Sequence, residues 1–470
     1  MQNTKPHAAM LASPGMGHLI PVLELGKRLI THHNFQVTIF IVASDSSTTK
    51  SLLKSTNPNL TIVALPLVDI PALVNPNDNI VTKIVVFMRQ SLPFLRSSIS
   101  AMKSRPTVLV VDLFGTEAFP IADEFHMLKY VFVTSNEWFL AIAIYSPTVH
   151  NLVQVHVNRK QPLEIPGFRP VRFEDTIEAY PIMNFDRVYG EFSRVGIEIP
   201  MSDGILINTW EDLDPSTLEA LRDDNKLGNV TRVPVYPVGP LVRPVEFAVH
   251  GNPEILKWLE LQPSESVIYV SFGSGGTISE EQMIELAWGL ELSQQRFIWV
   301  VRPPVNGDVS ASYFTVGQES DAIKSYFPDG FLSRTHNKAG LVVPIWAPQR
   351  EILAHVEVGG FLTHCGWNSS LESITNGVPM IAWPLYAEQK LNAALLAEEL
   401  RVAVRPKTNP TEGIIGREEI EMMVRNIMED KEMRNRVKML KNSAEKALSK
   451  GGTSYNSLSL VAKEIKVHGF

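Results

Sequence analysis

An apolar run of strand length, a short Gly-containing loop and a run with helical spacing follow one another twice along this chain. That alternation limits the fold more than any other feature. In the first pass "HAAMLAS" (7–13) is the strand, "PGMGH" (14–18) the loop, "LIPVLELGKRLITHH" (19–33) an amphipathic helix and "QVTIFIVA" (36–43) the next strand. A strand that returns in the same direction after a helix lies parallel to the first, with a right-handed crossover. "PTVLVVDLF" (106–114), "YVFVTS" (130–135) and "GILINTW" (204–210) extend the same sheet, because buried parallel strands read as near-continuous apolar runs. Pro and Gly then crowd "TRVPVYPVGPLVRPVEF" (231–247), which can be neither helix interior nor central strand. The alternation restarts with "SVIYVSF" (266–272), "GSGG" (273–276), the helix "TISEEQMIELAWGLELSQ" (277–294) and "RFIWVVR" (296–302). "LVVPIW", "VGGFLTHC" and "VPMIAWP" are further strands, and helical stretches near 415–430, 431–450 and 453–466 close the chain. A length of 470 residues also exceeds what one core organises. The expected fold is α/β, with two Rossmann-like parallel-sheet domains facing a cleft. The expected layout is a domain at 1–233, a linker at 234–250, a domain at 251–452, and a helix at 453–470 packing back on the first domain.

Composition removes several classes of function. The formal net charge is −7 and no long basic run occurs, so neither nucleic acid nor an anionic membrane is an expected partner. The chain has one cysteine, Cys365, which suits a reducing compartment. The opening "MQNTKPHAAMLASPG" lacks the apolar stretch of a secretory signal, and no run reaches the roughly 18 apolar residues needed to span a bilayer. A cytoplasmic protein, acting as a monomer, is expected.

Ligands of open parallel sheets bind beyond the C-terminal strand ends, so the loops there are the places to look for chemistry. In "SPGMGHLIP" (13–21), Gly15 and Gly17 allow a tight turn, and Ile20 stands where a dinucleotide fingerprint needs its third Gly. His18 sits at that strand-to-helix junction and is a candidate base. Asp112 ends the apolar strand in "VVDLFG" (111–116), where a buried carboxylate needs a partner. It can orient His18 as in a His–Asp catalytic pair, or cap the segment that follows. "SFGSGGT" (271–277) offers backbone N–H groups to phosphate oxygens but lacks the Gly-Lys ending of a P-loop. In "HCGWNSSLES" (364–373), adjacent His364 and Cys365 without a second Cys make a poor zinc site. Strand alternation would turn Cys365 into the sheet if His364 faces the cleft, which argues against a thiol nucleophile. An anion site fits better: Asn368 and Ser369 stand at cap positions, the helix dipole favours phosphate, His364 can donate to it, and Glu372 can accept from ribose hydroxyls.

Residues 346–389, "WAPQREILAHVEVGGFLTHCGWNSSLESITNGVPMIAWPLYAEQ", resemble the signature box of the plant secondary-product UDP-glycosyltransferases, enzymes of GT-B fold. "SPGMGHLIP", "VVDLFGT" and "YVSFGSGGT" match as well, so the likeness covers nearly the whole chain, nearest to the phenol- and indoxyl-glucosylating branch. The resemblance implies Trp346 stacked on uracil with Ala347 bonding it through the backbone, and Gln349 and Glu372 on the ribose. Ser274, His364, Asn368 and Ser369 would hold the diphosphate, Trp367 would add packing and backbone contact, and Gly17 would lie beside the donor. Glu388 and Gln389 would bind sugar hydroxyls, Gln389 favouring UDP-glucose. His18 would be the general base and Asp112 its orienting partner, with neither metal nor other cofactor. One of Thr134, Ser135 or Asn136 would touch the sugar. Glu117 would be a lining or surface residue.

The implied reaction is an inverting transfer of glucose from UDP-glucose to a small aromatic acceptor of phenol, hydroquinone or indoxyl type, giving a β-glucoside, with flavonoids, monolignols or aromatic amines as the alternative acceptors. Phe87, Phe114, Phe119, Trp138, Phe139, Phe185 and Tyr386 are candidate acceptor walls, each of them also a natural core residue. The Asp212–Asp214 string resembles a manganese motif but stands where an ordinary helix start is expected. A nicotinamide-dependent dehydrogenase would share the alternation but not the 346–389 box. A UDP-sugar-binding protein without activity would need neither His18 nor Asp112. The polar segment 303–330 could cover the acceptor or hang in solvent.

Overall fold

In a computed structural model of the chain the two alternations become two separate parallel sheets. The structure describes residues 5–42, 57–66, 73–74, 78–181, 187–245, 253–304, 326–335 and 339–468. It divides into two compact units, Met1–Phe173 with Glu178–Val242 and Ala444–Phe470, and Glu174–Ile177 with Arg243–Ser443.

The first unit is built on β1 (His7–Ala12), α1 (Met16–His33), β2 (Gln36–Val42), β3 (Leu60–Leu65), α2 (Ile80–Ser100), β4 (Val108–Asp112), β5 (Leu128–Val133), α3 (Glu137–Tyr145), β6 (Gly204–Ile207), α4 (Pro215–Arg222) and β7 (Val235–Pro237). Its strands lie in the order β3-β2-β1-β4-β5-β6-β7, every neighbouring pair parallel. All six residues of β1 are buried, as a strand covered on both faces requires. Residues 235–237, expected in the linker, form β7 instead. Pro237 is tolerated because β7 is the sheet edge, where a strand can lack an N–H. Helix α1 starts three residues before the expected Leu19. Gly15, at φ 106°, turns the chain within one residue, and its carbonyl accepts from both His18 and Leu19 N–H.

The second unit contains β8 (Val267–Ser271), α5 (Glu280–Ser293), β9 (Arg296–Val301), β10 (Gly340–Pro344), α6 (Gln349–Leu353), β11 (Val358–Thr363), α7 (Trp367–Asn376), β12 (Met380–Ala382), α8 (Gln389–Ala394), β13 (Ala403–Val404), α9 (Arg417–Glu429) and α10 (Lys431–Leu448). Its parallel order is β10-β9-β8-β11-β12-β13. Ser279 caps α5 by accepting from Gln282 N–H, as "TISEE" suggests. The last helix, α11 (Thr453–His468), belongs to the first unit, where Leu458, Val461, Ala462 and Ile465 join the core of β1, β2 and α1. The division before Ala444 precedes the expected boundary at 452, so the final turns of α10 also count with the first unit.

In each sheet the winding direction reverses once, between β1 and β4 and between β8 and β11. These are the two switch points at which open α/β sheets leave a crevice beyond the strand ends. No helix among the described residues is long and apolar enough to cross a membrane.

Candidate active site

The first switch point holds the His–Asp pair. Asp112 is the last residue of β4 and is fully buried, while His18 lies on the first turn of α1, immediately beyond β1. His18 Nδ1 is 3.3 Å from Asp112 Oδ2, with the imidazole side chain 15% exposed. The carboxylate also receives Ser13 N–H at 2.7 Å, the Ser13 hydroxyl, and Phe114 N–H at 3.1 Å. Asp112 caps the following 3₁₀ turn and also faces the histidine. Its donors come from three directions and fix its orientation. Ser13 went unnoticed in the sequence, although a hydroxyl at the first position past β1 is the signal that could have found it.

Around the pair, Phe114 sets its ring 5.4 Å from the His18 ring, and Thr134 Oγ1 is 3.5 Å from Nδ1. Asn136 is the N-cap of α3, accepting from Phe139 N–H at 3.0 Å. Trp138 is buried, gives its indole N–H to Asp214 at 2.7 Å and packs on Phe168 and Arg169. Phe87 and Phe119 are buried, Phe119 beneath Lys129, and Phe139 packs on Phe192. Of these aromatics Phe114 is the one that stands against the histidine. Phe185 and residues 305–325 lie outside the described residues. Glu117 pairs with Arg89. Asp214 caps α4 through Thr217 N–H, an ordinary helix start. Gly17 lies exposed on the first turn of α1.

At the second switch point two glycine-containing turns close on one imidazole. A Cβ on Gly273 would come within 2.5 Å of His364 Cε1, and one on Gly366 within 2.5 Å of His364 Nε2. Only glycine admits the ring at both places. His364 is buried, and its Nδ1 has no hydrogen-bond partner. Burial pushes the imidazole down to about 4, so it stays neutral at physiological pH. The Phe272–Thr277 loop is pinned from behind, the Arg302 guanidinium donating to Ser274 O and Thr277 Oγ1 to Pro303 O at 2.8 Å. Ser274 itself is exposed.

Two expectations about this turn are corrected. Strand β11 stops at Thr363, so alternation does not govern His364 and Cys365; Cys365 instead adopts a left-handed φ of 65°. The N-cap of α7 is Gly366, which places Asn368 and Ser369 inside the first turn rather than at the cap. The conclusion on the thiol is unaffected: burial pushes Cys365 up to about 12, far from a nucleophile's range.

Trp346 projects from the turn after β10 and is 57% exposed, while Ala347 beside it is buried. An exposed tryptophan next to a buried backbone suits a planar ligand face. Gln349 Nε2 reaches Ser369 Oγ at 3.0 Å and Glu372 Oε2 at 2.8 Å, tying α6 to α7. Burial raises the Glu372 carboxyl from its ordinary value, against the Gln349 hydrogen bond and the charges of Arg350 and Arg243. Trp367 is buried at the start of α7. Glu388 is the N-cap residue of α8 and Gln389 its first residue. Gln389 Oε1 accepts from Leu385 and Tyr386 N–H at 2.9 and 3.1 Å, so what it can offer a sugar hydroxyl is its NH₂ group. Tyr386 is half-buried against the core of this unit. Among the described residues no group of three His, Cys, Asp or Glu side chains could hold a metal ion.

Two Rossmann-like sheets, one with a His–Asp pair at its switch point and the other with glycine-containing turns around a buried histidine, are the parts of a GT-B glycosyltransferase. The chain belongs to the UDP-glycosyltransferase family and is an enzyme of sugar transfer. Residues 252–443 match the family described as UDP-glucoronosyl and UDP-glucosyl transferase. The chain is 52% identical to UDP-glycosyltransferase 72E1 of Arabidopsis thaliana, over 99% of this chain and 97% of that one. It is 53% identical to anthocyanidin 3-O-glucosyltransferase 5 of Manihot esculenta, over 98% and 96%, and 44% identical to hydroquinone glucosyltransferase of Rauvolfia serpentina, over 98% of each. The solved structure of TcCGT1 in complex with UDP superposes with a TM-score of 0.91 at 47% identity, covering 99% of this chain and 100% of that one.

Proposed function

We propose that the enzyme transfers glucose from UDP-glucose to the hydroxyl of a small aromatic acceptor, with inversion to a β-glucoside. The observation that carries this reading is the His18–Asp112 contact. With Nδ1 turned to Asp112 at 3.3 Å, Nε2 is the atom left to take the acceptor's proton. A phenol ionises near pH 10 and needs such a base at neutral pH. The acceptor oxygen forms a bond to the anomeric carbon as its proton passes to His18. The bond from that carbon to the β-phosphate oxygen breaks, and the electron pair leaves with UDP. Asp112 stabilises the imidazolium, and no step uses a metal.

The second unit supplies the donor side. Trp346 stacks on uracil beside the Ala347 backbone, and Gln349 and Glu372 hold the ribose. Ser274, neutral His364, Asn368, Ser369 and the N-terminal turn of α7 hold the diphosphate and take up its developing charge. Gln389, with Glu388, selects glucose. Phe114 and Thr134 stand nearest the reacting groups of the first unit, Thr134 as the residue that touches the sugar. Relatives named for hydroquinone and for an anthocyanidin support a phenolic hydroxyl as the acceptor. The single, buried cysteine suits the cytoplasm.

The test is product mass spectrometry with UDP-glucose, a pool of phenols, flavonols, an aniline and indoxyl, and EDTA. The expected result is a gain of one hexose on a phenolic acceptor, undiminished by EDTA. Binding of neither UDP nor UDP-glucose would overturn the reading.

A further inference from the structure

Cys365 is a left-handed, non-glycine residue at the hinge of the "HCGW" turn, with φ 65°. Such a conformation persists only where its surroundings hold it. Its carbonyl is held by Asn392, a fully buried residue whose Nδ2 donates to Cys365 O at 2.9 Å. Asn392 lies on α8, three residues after Gln389, so the two side chains share a helix face. Gln389 braces the Leu385–Tyr386 turn from that face while Asn392 braces the Cys365 turn. In a trans peptide the C=O and the following N–H point in opposite directions. With Cys365 O turned to Asn392, the Gly366 N–H points away from Asn392. That bond thereby sets the plane of the peptide entering α7. The same turn carries His364, whose buried Nδ1 is without a partner.

We propose that Asn392 is a positioning residue for the donor diphosphate. It acts through the Cys365 carbonyl to aim the first N–H groups of α7, and through α8 it links the diphosphate turn to the sugar-selecting Gln389. This rests on the donor site proposed above.

The experiment is calorimetric titration of the full chain and its Asn392→Asp variant with UDP and, separately, with uridine. Initial rates against UDP-glucose and acceptor accompany it. Asp is isosteric but presents an acceptor to the Cys365 carbonyl instead of a donor. The expected result is UDP affinity weakened about 10-fold and KM for UDP-glucose raised to match. Uridine affinity, acceptor KM and the acid limb of the rate profile stay unchanged. Asn392→Ala, neutral and smaller, serves if the Asp variant does not fold. Unchanged UDP affinity overturns the proposal, and so does parallel loss of UDP and uridine, which marks a structural role only. If the unaltered chain bound UDP no more tightly than uridine, the donor-site reading itself would fall, before any variant was made.

Discussion

Each switch point places a histidine beyond one of its two flanking strands where a helix begins, His18 after β1 and His364 after β11, and the two are treated in opposite ways. His18 faces a carboxylate that three other donors hold in place. His364 faces backbone, wedged between Gly273 and Gly366, with no partner for Nδ1. A nearby anion favours imidazolium, while burial without one favours neutral imidazole. The first arrangement suits a group that must gain a proton during turnover. The second suits a fixed hydrogen-bonding group beside a phosphate, whose own charge state does not change. One fold thus builds two histidine sites, and what differs is the strand end opposite: Asp112 in the first sheet, the glycine-rich Phe272–Thr277 loop in the second.

The comparison breaks most readily at His18. His18→Ala is expected to lower kcat by about 10²–10⁴ and leave the UDP dissociation constant unchanged, since the residues proposed to hold the donor lie on the other unit. Initial rates and calorimetry on the same preparation check this; a variant retaining full kcat would remove His18 from the chemistry. Asp112→Asn should lose about 10²–10⁴ in kcat by disturbing the tautomer. It should also lower the melting temperature, because Asp112 fastens Ser13 and Phe114 as well.

At His364 the expected loss is in binding. His364→Ala should weaken UDP by about 10- to 100-fold through one missing hydrogen bond to an anion. Gly366→Ala should do at least as much, because its Cβ would lie 2.5 Å from His364 Nε2. The pH profile sharpens the contrast. His364 remains neutral above about 4, so the contribution to UDP binding proposed for it should be flat from pH 6 to 8. A general base, by contrast, imposes its pH dependence on the rate and not on UDP binding. A UDP affinity that tracked His364 titration in that range would end the assigned difference.

Much of this contrast was legible in the residues. The alternation of apolar strand and amphipathic helix yields both sheets, because parallel strands buried on two faces leave an unmistakable pattern. Asp112 was visible as a carboxylate ending an apolar strand. The braces were not visible. Ser13, Arg302 and Asn392 act through hydrogen bonds to groups 99, 28 and 27 residues away, and nothing local in sequence marks a side chain as destined for a distant carboxylate or carbonyl. The placement of Cys365 also escaped alternation, because the strand ended two residues earlier than its apolar run suggested.

The smallest effect concerns a third buried group and asks whether the rule drawn from His364 extends to the first unit. Glu137, the first residue of α3, is fully buried. Burial first, and then the charge of Asp214, push its carboxyl up to about 8, against the Thr209 hydroxyl and its own backbone amide. The folded protein therefore keeps a proton that the unfolded chain releases near its ordinary value of 4.5. Folding stability from this group is complete below that value, declines as pH rises through the window, and is lost above about 8. Glu137→Gln carries no charge at any of these pH values. It should match the unaltered chain at pH 5 and exceed it by a few degrees in melting temperature at pH 8.5, with a gain of about 3 kcal/mol or less. Thermal unfolding at the two pH values decides it. Equal melting temperatures at pH 8.5 would mean that Glu137 ionises without cost in the folded state, and that desolvation decides charge only at the second switch point.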